Sequence, residues 1–324
     1  MKKAVIQSAA AYLPARIVTN EDMSRLVDTT DEWIATRTGI RQRHVSSGEN
    51  TADMACAVCE KLLAQSSLSP MDVGLLIVAT VTADYATPSV ACMVQGRIGA
   101  GNAFAFDINA ACTGFLYAMS VAEKYIAAGI CRNALVVGAE TLSKQVDWTE
   151  RSTCVLFGDG AGGVLLTAAE SGGIMGESLR ADGTQFAAIR GGHRPAASPF
   201  AAEEMQERYL TMDGRALFDF TTREVPKNMS ALLADTGTDA TDIKLFLLHQ
   251  ANERIVSAIA KKLKIDYNRF AVNIDRRGNT SSASVPILLA ELLENGTLTL
   301  GSGDKIILTA FGGGLTWGSM LVQI

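Results

Sequence analysis

A thiol, an imidazole and a carboxamide stand at three pattern breaks in this chain: Cys112 in "NAACTGF", His249 in "LLHQANERI" and Asn279 in "GNTSSAS". Cys112 closes a strand-like run and opens a helix-like one, among the small residues Ala110, Ala111, Thr113 and Gly114. A cysteine at a helix amino terminus feels the positive end of the macrodipole and nearby unpaired N–H groups, both of which favour thiolate. Its small neighbours leave a substrate room to reach the sulfur. The pattern points to a nucleophile, and none of the other five cysteines shares it. Singly, each residue also has an ordinary reading: a buried spectator thiol, a hydrogen-bonded core histidine, a helix N-cap. Their company is what suggests chemistry.

Two other motifs lead elsewhere. "CAVC", at 56–59, has CxxC spacing but lies within a helix-periodic run with no second cysteine pair, so buried small side chains are expected rather than zinc or redox chemistry. With three histidines (His44, His193 and His249) and no HExxH, no metal site is expected. "GDGAGG", at 158–163, matches GxGxxG letter for letter, yet the strand-like "VLLTAAE" follows where a dinucleotide fingerprint needs a helix. A tight hairpin, its glycines supplying positive φ or a close backbone approach, is expected instead. The later "FGGGLTWG" is a second such loop, able to turn bare N–H groups toward a bound oxygen.

The chain that must position these groups has 324 residues, 48% of them apolar and 19% charged, with 29 glycines and 7 prolines. That is the profile of an ordered protein with a large core. A net charge of −5 argues against nucleic acid or an anionic membrane as a partner. The opening "MKKAVIQSAAAYLPARIV" makes a poor secretory signal, and no window reaches the roughly 18 apolar residues of a membrane span. A cytoplasmic protein with reduced thiols is expected.

Strand-like runs at 75–82, 103–108, 134–139, 153–157, 163–168, 245–249, 270–274, 305–311 and 318–324 alternate with helical runs at 113–128, 252–264 and 280–294. Near-continuous apolar strands suit sheets covered on both faces. The order strand, strand, small-residue turn, helix, strand, glycine loop occurs twice, which predicts a pseudo-twofold duplication with halves 1–171 and 172–324. In it Cys112 and Asn279 are expected to hold equivalent places. The helices at 113–128 and 280–294 are apolar almost all round, so both belong between two sheets, in α-β-α-β-α layers.

In order and spacing, "NAACTGF", "LLHQANERI", "GNTSSASVPILL" and "FGGGLTWGS" resemble 3-oxoacyl-(acyl-carrier-protein) synthase III, the initiating condensing enzyme of bacterial type II fatty-acid synthesis; "DTTDEWIATRTGIRQRH" and "DWTERSTCVLFGDGAGG" extend the match. The resemblance runs the whole chain. It implies a thiolase-like five-layer fold, a homodimer, and decarboxylative condensation of an acyl-CoA primer, acetyl-CoA first, with malonyl-acyl carrier protein. Coenzyme A thioester enters as substrate, with no permanently bound cofactor. Cys112 then carries the acyl group, and His249 and Asn279 are the N–H donors to the malonyl thioester oxygen. The backbone N–H groups of Cys112 and Gly313 hold the other oxyanion, and Phe311 walls the chamber. By the same resemblance Trp33 and Arg151 stack on the adenine of coenzyme A, with Arg37 and Thr29 in the matching stretch and Asn252 on the pantetheine arm.

Directly after His249, Arg254, Lys261 and Lys262 form a basic stripe on an acidic chain, suited to steering an acidic carrier protein. Thr87 stands where family members often carry a bulky residue limiting primer size, on a loop expected to reach the partner subunit's pocket. A rival is a papain-like hydrolase, which also runs Cys, His, Asn in chain order, although its cysteine lies near the amino terminus. Another is a subunit that only holds acyl chains, which the three reactive residues together disfavour.

Overall fold

The computed structural model describes residues 2–196, 198–201 and 207–324. Ten strands form two five-stranded sheets. In the first are β1 (Lys3–Tyr12), β2 (Leu75–Ala79), β3 (Phe104–Ile108), β4 (Asn133–Glu140) and β5 (Gly160–Ala169). In the second are β6 (Gly173–Ala181), β7 (Ile243–Leu248), β8 (Phe270–Ala271), β9 (Lys305–Gly312) and β10 (Thr316–Gln323). The spatial orders are β1-β5-β4-β2-β3 and β6-β10-β9-β7-β8. In each sheet three parallel strands are continued on one side by two strands, each antiparallel to the one before it, so the halves share one topology.

The helices that matter to the site are α1 (Asp31–Thr38), α2 (Thr51–Ala64), α3 (Val90–Ile98), α4 (Gly114–Ala127), α5 (Gly214–Asp235), α6 (Glu253–Leu263) and α7 (Ser284–Glu294). Alternation along β2 shows how they are layered. Leu75, Ile77 and Ala79 point inward to Phe115, Leu116 and Met119 of α4 and to Val285, Leu288 and Leu289 of α7, which also pack on Ile306 and Leu308 of β9. Leu76 and Val78 point outward to Met54 and Val58 of α2 and to Val90 and Val94 of α3. Beyond the second sheet, Phe246 and Ile307 meet Met229 of α5 and Ile259 of α6. The layers are therefore α2/α3, sheet, α4/α7, sheet, α5/α6. Phe115, Leu116 and Met119 of α4 and Ile287 and Leu289 of α7 are withdrawn from water, and truncating one such as Phe115 to alanine costs about 3–5 kcal/mol.

Three expectations need correction. Residues 153–157 form no strand: a helical turn, Arg151–Cys154, occupies the run, and only Phe157 bridges to Asn279. The flanking strands β1 and β6 carry no clear sequence mark, because the first is alanine-rich and the second largely polar. "GDGAGG" forms no hairpin: Gly160, Gly162 and Gly163 lie inside β5, and its glycines do not have positive φ. They serve close approach, since a Cβ on Gly162 would meet the Ile287 nitrogen of α7 at 2.6 Å.

Candidate active site

Both central helices begin with the same device. After β3, the Asn109 side chain accepts the Ala111 N–H at 3.5 Å, Ala111 takes φ +47°, and a 3-10 turn, Ala111–Thr113, leads into α4. In the second half the Asn279 side chain accepts the Ser281 N–H at 2.9 Å, Ser281 takes φ +49°, and the turn Ser281–Ala283 leads into α7. The counterpart of Cys112 is therefore Ser282, and that of Asn279 is Asn109, which corrects the equivalence expected from sequence. Neither α4 nor α7 has a side-chain N-cap. Thr113 Oγ1 donates to the Thr316 carbonyl at 3.2 Å, tying the Cys112 turn to the opposite half.

Each turn presses against a glycine of the other half's central strand. A Cβ on Gly312 of β9 would lie 2.8 Å from the Cys112 Cβ and 3.0 Å from its Sγ. A Cβ on Gly138 of β4 would lie 2.4 Å from the Ser282 carbonyl oxygen. Only glycine permits these approaches.

His249 follows β7, its N–H bonded to the Thr309 carbonyl at 2.8 Å and its Nδ1 2.6 Å from Ser284 Oγ. Phe311 sets its ring edge-on to the imidazole, centroids 5.3 Å apart. Burial pushes the His249 pKa down to about 3, so the ring is neutral. A Ser284 hydroxyl that donates to Nδ1 puts the ring hydrogen on Nε2. Asn279 is clamped by its N–H to the Leu156 carbonyl and by its carbonyl to the Gly158 N–H, each at 2.9 Å. Because its Oδ1 is taken by Ser281, its NH2 group is the end left to face the cavity.

Cys112, His249 and Asn279 line one cavity of about 100 Å³, walled by Phe311, Gly312, Leu217 and Phe218. On its other side Cys112 borders a second space of about 320 Å³, lined by Val81, Leu142, Phe157, Leu210, Ser281 and Gly313. The thiol thus stands between two chambers, the smaller holding His249 and Asn279 and the larger of mixed lining that includes Asn109, Gln145, Arg190 and Thr316. Its ionisation departs from the sequence reading. Burial pushes the thiol from an ordinary 9.0 up to about 12, with a hydrogen bond to the Ser281 side chain opposing the rise. Three units is about 4 kcal/mol, whereas a helix terminus supplies at most about 2 kcal/mol. The resting group is the thiol, and desolvation outweighs the dipole.

The remaining sequence candidates fall into groups. The Arg37 and Arg151 guanidinium carbons lie 4.6 and 4.7 Å from the Trp33 ring centroid. Nearby Thr29 Oγ1 is buried without a hydrogen-bond partner. Asn252 lines the smaller cavity but also caps α6, its Oδ1 accepting from the Arg254 N–H at 2.9 Å and its Nδ2 donating to the Arg37 carbonyl at 2.9 Å. Arg254 and Lys261 share a groove with Phe218, which also walls the Cys112 cavity. Lys262 leaves that groove, its Nζ bonded to the Thr222 carbonyl at 3.3 Å. Thr87 is exposed and lines neither chamber of its own subunit. Cys56 and Cys59 are buried in the α2 layer.

Sequence reading missed Ser281, Ser284 and Glu140. Aligning "NAACTG" with "NTSSAS" would have flagged the two serines, and an acid ending the apolar strand "NALVVGAE" was the available signal for Glu140.

Residues 106–183 match the family model described as 3-oxoacyl-[acyl-carrier-protein (ACP)] synthase III, and residues 233–324 match that of its C-terminal region. Over 325 residues, covering 100% of both, the chain is 49% identical to the beta-ketoacyl-[acyl-carrier-protein] synthase III of Streptococcus mutans. The crystal structure of 3-oxoacyl-[acyl-carrier-protein] synthase III from Aquifex aeolicus superposes with a TM-score of 0.92 at 40% identity, covering 100% of each chain. The priming beta-ketosynthase of a polyketide biosynthetic pathway gives a TM-score of 0.93 at 30% identity, covering 100% of this chain and 96% of that one.

Proposed function

The chain belongs to the 3-oxoacyl-(acyl-carrier-protein) synthase III family of condensing acyltransferases, and from that premise we propose that Cys112, His249 and Asn279 carry out a two-stage condensation that initiates fatty-acid synthesis. The observation that carries this reading is that the three side chains, drawn from both halves, line one cavity. In the first stage Cys112 Sγ attacks the carbonyl of a short acyl-CoA, acetyl-CoA foremost. Because the resting group is a thiol, its proton leaves as the new C–S bond forms and ends on the departing coenzyme A sulfur. The backbone N–H groups of Cys112 and Gly313 are the proposed donors to the tetrahedral oxyanion.

In the second stage malonyl-acyl carrier protein enters the small cavity. Its C–CO₂ bond breaks, and negative charge gathers on the thioester oxygen. His249 Nε2–H and the Asn279 amide donate to that oxygen. A ring already neutral over the working pH range suits a donor better than a base. The carbanion attacks the acyl carbon, Cys112 sulfur leaves and takes a proton, and 3-oxoacyl-carrier protein departs. Phe311 keeps this chamber dry.

Trp33, Arg37, Arg151 and Thr29 are the proposed coenzyme A contacts, with Asn252 on the pantetheine arm; a planar base entering over Trp33 displaces Arg151, and stacking replaces the lost cation–π contact. Arg254 and Lys261 form the proposed carrier-docking edge, with Lys262 to one side. The reading further comprises two thiolase-like halves, 1–171 and 172–324, and a cytoplasmic homodimer in which Thr87 reaches the partner subunit's primer chamber. Support for the dimer comes from β3, an edge strand with one row of backbone groups unpaired within its own sheet.

The test is intact-mass analysis after mixing with acetyl-CoA. Wild type gains one acetyl group, Cys112→Ser gains no thioester, and malonyl-carrier protein discharges the label as a four-carbon product. Release of free acetate without that product defeats the condensation.

A further inference from the structure

Glu140, at the end of β4, is fully buried behind Cys112. Its Oε2 lies 2.7 Å from Thr82 Oγ1 and 3.2 Å from Thr80 Oγ1, its Oε1 lies 2.8 Å from Ser282 Oγ, and the Val81 N–H lies 3.1 Å from Oε2 and 3.3 Å from Oε1. One carboxyl group thus joins the segment after β2, whose Val81 lines the larger chamber, to the turn Ser281–Ala283, whose Ser281 touches the Cys112 sulfur.

Were Glu140 a carboxylate, the Ser282 hydroxyl would face two acceptors with one proton. Ser282 Oγ is also 2.9 Å from the Ala79 carbonyl, and its single hydrogen cannot serve that oxygen and Glu140 Oε1 together. Thr51 gives no help, since its hydroxyl is 2.7 Å from the Thr82 carbonyl. A proton on Oε1 resolves the conflict: Glu140 donates to Ser282 Oγ, Ser282 donates to Ala79, and Thr82, Thr80 and Val81 donate to Oε2.

Charge points the same way. Among the described residues no Lys or Arg pairs with Glu140. Charged groups on adjoining segments are already engaged: Lys144 with Asp84 at 3.3 Å, Arg277 with Glu291 at 2.6 Å, and Asp159 with the Ser46 and Ser143 N–H groups. Across the chamber lie Cys112, whose ionisation a second negative charge would oppose, and Arg190, which is already paired with Glu207 at 2.9 Å. An unpaired carboxylate so placed is costly.

We propose that Glu140 is held as the neutral acid and acts as a positioning residue, its proton fastening the Ser281–Ala283 turn to the wall of the Cys112 chamber. Burial raising its pKa accords with this. The protonation state stands independently of the condensation reading; only the consequence for acyl transfer rests on it.

The experiment compares wild type, Glu140→Gln and Glu140→Ala. Infrared difference spectra of wild type against Glu140→Gln read the carbonyl stretch of a protonated carboxylic acid. Peptide-mapped iodoacetamide alkylation of Cys112 across pH reads thiol ionisation without requiring turnover. Glutamine reproduces the neutral acid, its NH2 donating to Ser282 and its oxygen accepting from Thr82. The expected result is an acid band lost in Glu140→Gln, an alkylation midpoint unchanged in that variant, and acetyl transfer reduced about tenfold in Glu140→Ala and restored in Glu140→Gln. No acid band in the difference spectrum, a midpoint about one unit lower in Glu140→Gln, or failure of that variant to fold overturns the proposal. A Cys112 that alkylates as expected but never carries acetyl instead sinks the condensation reading alone.

Discussion

Gly138→Ala separates placement of the site from stability of the fold. A methyl group on Gly138 lies 2.4 Å from the Ser282 carbonyl oxygen, 2.7 Å from its carbon and 3.1 Å from the Ala283 nitrogen, where ordinary contact begins at 3.4 Å. All three are backbone atoms and cannot rotate aside, so the turn must retreat by about 1 Å, an overpacking strain of about 1–3 kcal/mol. That displacement reaches the site by two routes. The Ser281 hydroxyl moves off the Cys112 sulfur, and the Ser281 N–H that orients the Asn279 amide moves with it. A shift of this size typically costs about 100-fold in rate. The strain itself lowers the melting temperature by only a few degrees in a chain of this length. Quenched-flow mass measurement of Cys112 acetylation and steady-state condensation read the first effect, and thermal melting reads the second. Gly48→Ala, with nothing within 4 Å of the added methyl, is the control expected to match wild type. Should Gly138→Ala acetylate and condense at the wild-type rate, the turn does not transmit its position to the site, and the coupling drawn between the halves is wrong.

Three further outcomes are expected. His249 has its pKa depressed from 6.5 to about 3, so the unfolded chain binds the proton first and stability is lost as pH falls below 6.5; at pH 5 the loss is about 2 kcal/mol. Urea midpoints at pH 7.5 and 5.0 should therefore diverge more in wild type than in His249→Gln, and equal divergence refutes the buried neutral ring. Ser284→Ala removes the 2.6 Å partner of His249 Nδ1; malonyl decarboxylation should drop about fivefold while Cys112 acetylation keeps its rate, and an equal drop in both steps contradicts the division of roles. Arg254→Glu should raise KM for malonyl-carrier protein steeply at low salt, with Lys262→Glu doing much less because its ammonium is turned onto Thr222; equal effects would mean the carrier does not use the groove.

The alternation of apolar strands with two all-round apolar helices already dictated the layers, because a helix such as α4, with Phe115, Leu116 and Met119 all withdrawn from water, has no stable place except between two sheets. The reactive side chains were legible for a similar reason: their local setting, a small-residue turn before a helix, is written in neighbouring letters. Strands β1 and β6 were not, since what makes them strands is pairing with partners more than a hundred residues away, and their own alanines and polar residues state no preference. Nor could local pattern give the register of the duplication, which placed Ser282 rather than Asn279 opposite Cys112 once the two positive-φ turns were seen. Sulfur ionisation lay furthest from reach. The macrodipole follows from a helix start alone, whereas desolvation depends on everything folded around the thiol, including Glu140, Ser281 and Gly312, and it is the larger energy.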